Sequence, residues 1–323
     1  MTQTSADPGI HTIDTALERP GFDAAYLVVG DGRAAFIDCG TGHAVPHLLA
    51  ALAQVGLNPD QVDWLVLTHV HLDHAGGAGQ LLQHLPKAQA VVHPRGARHL
   101  IDPSRLIASA TAVYGEEQML RHHGRVLPVP AERVLLAPDG HVVPLAGRPL
   151  LCLDAPGHAR HHIVIHDAAA NVFFTGDTFG ISYRELDSAA GAFTLPSTSP
   201  VQFEPQPLHD SIRRMAAFQP RAMYLTHYGR VGDVQARAAD LHDQIDAMVA
   251  IARRQAGRDD PKTRHAAISA ELAELYLQRA ERHGVPLPRA QVRELLAIDI
   301  ELNSQGLAVW LDRLARAQRP ARD

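Results

Sequence analysis

Residues 67–77 read LTHVHLDHAGG and place His69, His71, Asp73 and His74 within six positions, directly after the apolar run Trp64 to Leu67. Imidazoles and a carboxylate packed so closely are costly to bury unless a partner offsets their charge and polarity. A bound cation is one such partner; the competing reading is a polar loop whose histidines cap a following helix. In an extended loop, alternate side chains project to one side, so His69, His71 and Asp73 are expected to converge while His74 points elsewhere. That arrangement suits two neighbouring cations. Three further candidates occupy similar strand-to-loop junctions: His158 in APGHARHH, Asp177 in FTGDT and His227 in LTHYG.

Elements that would position these residues can be read from the surrounding pattern. Residues 24–38 resemble a hairpin turning at Gly-Asp-Gly, and a helix is expected over about 44–55, ended by Gly56 and Pro59. VDWLVLT reads as a buried strand, followed by the histidine loop and a helix in GAGQLLQHL. QAVVH is a further short strand, and residues 95–123 read as a mainly helical insert able to cover a pocket. Strand-like runs continue through RVLLA, HVVPLAGRPLLCLDA, HIVIHDAAANVFFTGD and RAMYLTHYG. From Gly232 the pattern turns to apolar residues at spacings of three and four, with breaks at Asp260-Pro261 and Gly284-Val285-Pro286 and a further boundary between ELN and QGLAVW. These shifts predict a mixed α/β domain over residues 1–231 and an all-helical region over 232–323.

Composition bounds the chemistry. The 323 residues are 46% apolar, enough for a substantial core, and the two cysteines, Cys39 and Cys152, provide neither a disulfide framework nor a thiolate cluster. Any metal would therefore use nitrogen and oxygen ligands. A net charge of -5 gives no general electrostatic grip on nucleic acid. No basic leader followed by an apolar run is seen, and no stretch approaches a membrane span, so the expected location is the cytoplasm and no membrane partner is expected. Cys39 reads as a small core or loop residue. His93, His161 and His166 read as structural or surface histidines, and the tail arginines as a solvated face interleaved with acids. The apolar stripes of the tail either pack on the core or form a homodimer interface.

The order His-x-His-x-Asp-His, Pro-Gly-His, Gly-Asp-Thr and Thr-His resembles the metallo-β-lactamase fold superfamily over about residues 10–230. The resemblance implies a four-layer αββα sandwich with the metal site at one edge of its two sheets. It also implies a ligand set: His69, His71 and His158 for one metal, Asp73, His74 and His227 for the second, and Asp177 bridging both. Imidazole and carboxylate donors suit zinc, iron or manganese, and zinc is the expected ion. His162 matches a position often histidine in these proteins and is expected to orient a ligand or substrate. Tyr183 and Tyr228 lie near the proposed ligands and are candidates for hydrogen bonding to a developing oxyanion, with packing the competing role.

The implied activity is that of a dinuclear metallohydrolase using a metal-bridging hydroxide on the ester, thioester or lactone carbonyl of a small molecule, with Asp73 shuttling the proton. Asp177 stands where some β-lactamases of the superfamily use cysteine, as it does in glyoxalase II-like thioesterases. Lactonases of the superfamily carry a tyrosine three residues past the bridging aspartate, where this sequence has Gly180. The helical tail is similar in outline to that of glyoxalase II, without an identifiable glutathione-binding pattern. Alternatives are an iron-dependent oxidoreductase of the persulfide dioxygenase type, an RNA or phosphodiester nuclease, and a binding protein that keeps the fold without catalysis.

Overall fold

The computed structural model describes residues 2–4 and 7–317. The chain forms two compact units. The first comprises residues up to 155, 161–176 and 220–231; the second comprises 156–160, 177–219 and the chain from 232 onward.

The first unit holds both sheets. A seven-stranded sheet runs in chain order through β1 (Thr2–Thr4), β2 (Ile10–Asp14), β3 (Ala24–Gly30), β4 (Arg33–Ile37), β5 (Val62–Val66), β6 (Gln89–Val92) and β7 (Val134–Leu136). Pairing is antiparallel from β1 to β4 and parallel from β4 to β7. The six-stranded sheet comprises β8 (Val142–Val143), β9 (Leu150–Asp154), β10 (Ile163–Asp167), β11 (Val172–Gly176), β12 (Ala222–Leu225) and β13 (Gly229–Val231). Its one parallel pairing joins β11 to β12. Among the described residues, the α-helices of this unit are α1 (Val45–Gln54), α2 (Leu72–Ala75), α3 (Ala78–His84), α4 (Pro94–Ile101), α5 (Ser104–Tyr114) and α6 (Glu116–His123).

The period of two in a strand divides the core. Along β3, Ala24, Tyr26 and Val28 enter a cluster with Ile163, Phe174 and Tyr224 of the second sheet, whereas Ala25 and Leu27 face a cluster with Leu48 of α1 and Leu81 of α3. β4 does the same, with Ala35 and Ile37 on one side and Ala34 and Phe36 on the other. Both faces of the seven-stranded sheet are thus covered, as its near-continuous apolar strands require. Burying each large side chain such as Phe36 or Phe174 contributes about 1.5–3 kcal/mol.

The second unit contains α7 (Pro205–Ala217), α8 (Val234–Arg254), α9 (Pro261–His283), α10 (Arg289–Leu295) and α11 (Ala297–Ala317). Asp260 caps α9 by accepting from the Lys262 and Thr263 amides, and Gly284 ends it in the left-handed conformation. The expected boundary between ELN and QGLAVW is not observed, because α11 continues through it. Gly306 lies inside that helix with a reason: a Cβ there would stand 2.2 Å from Thr198 Oγ1, so only glycine lets the helix approach the 197–199 loop. Asn303, one turn earlier, accepts from the Thr198 amide at 2.7 Å and donates to the Pro196 carbonyl at 3.0 Å. Among the described residues, no helix is long and apolar enough to cross a membrane.

Candidate metal centre

The histidine loop is extended for only part of its length. β5 ends at Val66, the chain bends at Thr68, and His71, in an extended conformation with ψ 152°, occupies the N-cap of α2. α2 then places Asp73 and His74 on a helical turn. The alternation expected from a continuous extended loop therefore stops at His71, and Asp73 does not join His69 and His71 in one set. It lies with His74 and His227, the donor atoms of all three within 4.8 Å of one another. Asp73 Oδ2 is 3.7 Å from His74 Nε2 and 3.5 Å from His227 Nε2.

The neighbours of each imidazole determine which nitrogen faces this point. His74 is fully buried, and its Nδ1 lies 2.9 Å from Asp38 Oδ2, so Nδ1 carries the donated hydrogen and Nε2 keeps its lone pair towards Asp73. His227 Nδ1 donates to the Phe22 carbonyl at 3.1 Å, leaving its Nε2 in the same state. His69 follows the rule with Thr68 Oγ1 at 3.2 Å from Nδ1 and its Nε2 2.8 Å from His71 Nδ1. Lone pairs held in place by acceptors behind the ring, with a carboxylate between two of them, form a donor set chemically matched to a divalent cation.

Asp38 is the organising residue that the motif spacing did not single out. Its carboxylate accepts from the Thr68 amide at 2.8 Å, from Thr68 Oγ1 at 2.7 Å, from His74, and from Thr226 Oγ1 at 3.1 Å. It thereby ties the end of β4 to the loop after β5 and to the loop after β12, which carries His227. The available signal was an aspartate closing the apolar strand AAFID, placed like the other chemical residues of this chain. Asp23 is a second buried carboxylate, 3.9 Å from His227 Nδ1. Burial pushes its pKa up to about 7, opposed by His227 and His74 and reinforced by Asp73.

His162 is fully buried and stacks on His69, with ring centroids 4.6 Å apart. Its position depends on Gly176, whose φ is +48° and where a Cβ would lie 2.5 Å from His162 Nε2 and 2.7 Å from Thr68 Oγ1. Gly176→Ala is accordingly expected to destabilise the fold by at least about 1–2 kcal/mol from the backbone alone, with a further loss from the displaced imidazole. Urea denaturation checks the first effect and metal affinity the second. His161 packs edge-on against His71 at 5.6 Å, a nearer association than the sequence suggested. Tyr228 belongs to the apolar cluster between the sheets.

In the second unit, His158 Nε2 lies 3.4 Å from Asp177 Oδ2, and both side chains are buried. His158 Nδ1 donates to the Ser197 carbonyl at 3.3 Å, so its Nε2 is again the lone-pair nitrogen. Gly157 lets this segment lie against α7, because a Cβ at its φ of +134° would be 2.3 Å from Leu208 Cα. Tyr183 is buried, and its hydroxyl donates to Asp299 Oδ1 at 3.1 Å.

A charge clamp steadies the His158 segment. Glu204 Oε1 is 2.5 Å from guanidinium nitrogens of both Arg160 and Arg313, the latter on α11. Burial alone would raise the Glu204 pKa; the two arginines overcome it and hold the carboxyl below its ordinary value. A carboxylate with a depressed folded pKa contributes stability that is complete above the unfolded value of 4.5 and is lost as pH falls through the lower folded value. Glu204→Gln is thus expected to flatten the acid limb of the stability curve below that pH. Urea midpoints measured across the acid range test this.

Comparison with known proteins agrees with this architecture. The profile of the metallo-beta-lactamase superfamily matches residues 19–227. A metallo-beta-lactamase fold-containing protein of Sulfurisphaera tokodaii is 26% identical over 69% of this chain and 79% of its own length. A hydroxyacylglutathione hydrolase of Aeromonas salmonicida is 29% identical over 63% of this chain and 60% of its length. The acyl-coenzyme A thioesterase MBLAC2 of Gallus gallus is 32% identical over 47% and 56% respectively, so the match spans less than two thirds of either hydrolase. Among solved structures, a metallo-beta-lactamase family protein of Thermus thermophilus superposes with a TM-score of 0.68 at 22% identity, covering 96% of this chain and 95% of that one. With most of the mixed α/β core inside the matched region, the chain belongs to the metallo-beta-lactamase superfamily.

Proposed function

We propose that this protein is a dinuclear metal-dependent hydrolase of ester, thioester or lactone carbonyls in small molecules. The observation that carries the reading is the Asp73, His74 and His227 triad, in which both imidazoles are fixed from behind so that Nε2 faces a carboxylate. In this reading His69, His71 and His158 would hold one cation and Asp73, His74 and His227 a second, with Asp177 a proposed ligand to both. Zinc is the favoured ion. Bound divalent cations supply a water of lowered pKa and Lewis-acid polarisation of the scissile carbonyl.

The chain's own residues then have distinct tasks. Asp73 is 29% exposed, unlike the buried His74, and its carboxylate can hold a proton at Oδ1 or Oδ2 and deliver it to a leaving group. His162, stacked on His69, is proposed to orient that ligand. Tyr183 and Tyr228 remain candidates for substrate contact, and their engagement with Asp299 and with the apolar core favours positioning over direct chemistry. The named activities of the hydroxyacylglutathione hydrolase and acyl-coenzyme A thioesterase relatives support a thioester before a lactone.

A matched panel of acyl thioesters, oxygen esters, lactones and phosphodiesters tests the reaction class. Turnover of the carbonyl substrates is expected, with thioesters preferred. Phosphodiester cleavage without carbonyl turnover would overturn the assignment. An all-nitrogen-and-oxygen donor set also accommodates iron, which favours an oxygen-consuming oxidoreductase as the second reading. Oxygen uptake by iron-loaded protein distinguishes it.

A further inference from the structure

α7 and α8 bring together a second histidine cluster, outside the proposed centre. His242 and Asp246 lie four residues apart on α8 and so share one helical face. That face meets His209 of α7: the Nδ1 atoms of His209 and His242 are 2.6 Å apart, and His209 Nε2 is 3.2 Å from Asp246 Oδ1. The two rings meet edge to edge through these nitrogens, with centroids 4.9 Å apart and planes 29° apart.

The chemistry of this arrangement is constrained. Asp246 accepts the Nε2 hydrogen of His209, which leaves His209 Nδ1 with a lone pair. Only one proton fits between the two facing Nδ1 atoms. When it leaves, both lone pairs point at the same space. Burial, followed by the neighbouring charges of His209 and Arg213, holds the His242 pKa below its ordinary value, so the neutral imidazole is favoured; Asp246 and Asp243 oppose them. Arg213 is itself engaged by Asp210 at 2.5 Å. His242 also lines a groove of about 450 Å³, together with Arg213, Gln219, Gln235 and alanines of α7 and α8.

We propose that His209 and His242 form a second, independent binding site for a divalent transition-metal cation of the zinc, nickel or copper class. Asp246 orients His209 for it, as a carboxylate behind a ligating imidazole does. Two protein ligands leave further coordination positions, and the groove gives water or a small anion room to fill them. Zinc–nitrogen bonds of about 2.0–2.1 Å in tetrahedral geometry set two imidazole nitrogens about 3.3 Å apart, so side-chain rotation must open the Nδ1 pair from 2.6 Å by about 0.7 Å to admit the ion. Imidazole pairs favour these metals over magnesium or calcium, which prefer oxygen ligands.

Equilibrium dialysis of the purified holoprotein against Zn²⁺, with total zinc per chain measured by elemental analysis, tests the site. The wild type is expected to bind one more zinc per chain than His242→Ala, and His209→Ala should match that loss. Asp246→Asn should weaken the extra site by about 10-fold or more. Equal zinc uptake by wild type and His242→Ala would overturn the proposal. Because His209 is largely buried, the folding of its variant needs a melting curve; His242→Ala and Asp246→Asn decide the question if it unfolds. Carbonyl-substrate turnover by the variants should equal that of wild type, which separates this result from the fate of the proposed hydrolase site.

Discussion

Replacing Asp38 by asparagine is expected to lower metal affinity about 10–100-fold, the usual consequence of losing a carboxylate behind a ligating histidine, although Asp38 is itself no proposed ligand. The side-chain carbonyl of the introduced asparagine can still accept from the Thr68 amide, now 2.8 Å from Asp38 Oδ1. Its amide nitrogen would then face His74 Nδ1, donor against donor, where the carboxylate now accepts at 2.9 Å. His74 can restore that contact by moving its hydrogen to Nε2, but this removes the lone pair directed at Asp73. Turnover should fall with metal occupancy. Asp38→Ala removes all four acceptor contacts and should cost about 3–5 kcal/mol of stability, as expected when one partner of a buried charged network is deleted. Metal titration and urea denaturation of the two variants separate these effects; unchanged affinity in Asp38→Asn would remove Asp38 from the site.

The second large effect is expected at Asp73. Asp73→Asn conserves shape but removes the anion between His74 Nε2 and His227 Nε2 and the group proposed to carry a proton. General acid–base catalysis contributes about 10²–10⁴-fold, so kcat should fall by at least that range at saturating metal. If Asp73 served only to hold a cation, excess metal would restore kcat in the variant. No such restoration is expected, and a kcat series against metal concentration reads the difference directly.

Much of this organisation was legible because the motif residues sit where apolar strands end, and strand ends are visible as breaks in hydrophobicity. β5, β11 and β12 each finish just before a chemical residue, at Val66, Gly176 and Leu225. The geometry between those residues was less accessible. Period-two projection failed at α2, since a single helical turn of LDHA carries no periodic signature that distinguishes it from a loop. Asp38 escaped notice for a related reason: its role depends on contacts 30, 36 and 188 residues away, with Thr68, His74 and Thr226. The division between ELN and QGLAVW has no counterpart in α11, where Gly306 answers to close packing on Thr198 rather than to a helix end. The grouping of 177–219 with the tail helices likewise follows from tertiary packing, such as Asn303 against the 196–198 loop, and has no compositional mark.

If the clustered histidines and aspartates hold catalytic metal, activity must follow metal content. Elemental analysis of the purified protein, combined with thioester turnover before chelation, after chelation, and after zinc is returned, puts this to the test. Two cations per chain are expected in the proposed centre, with activity lost in proportion to their removal and recovered on zinc addition. Full turnover by protein stripped of metal would refute the proposed mechanism.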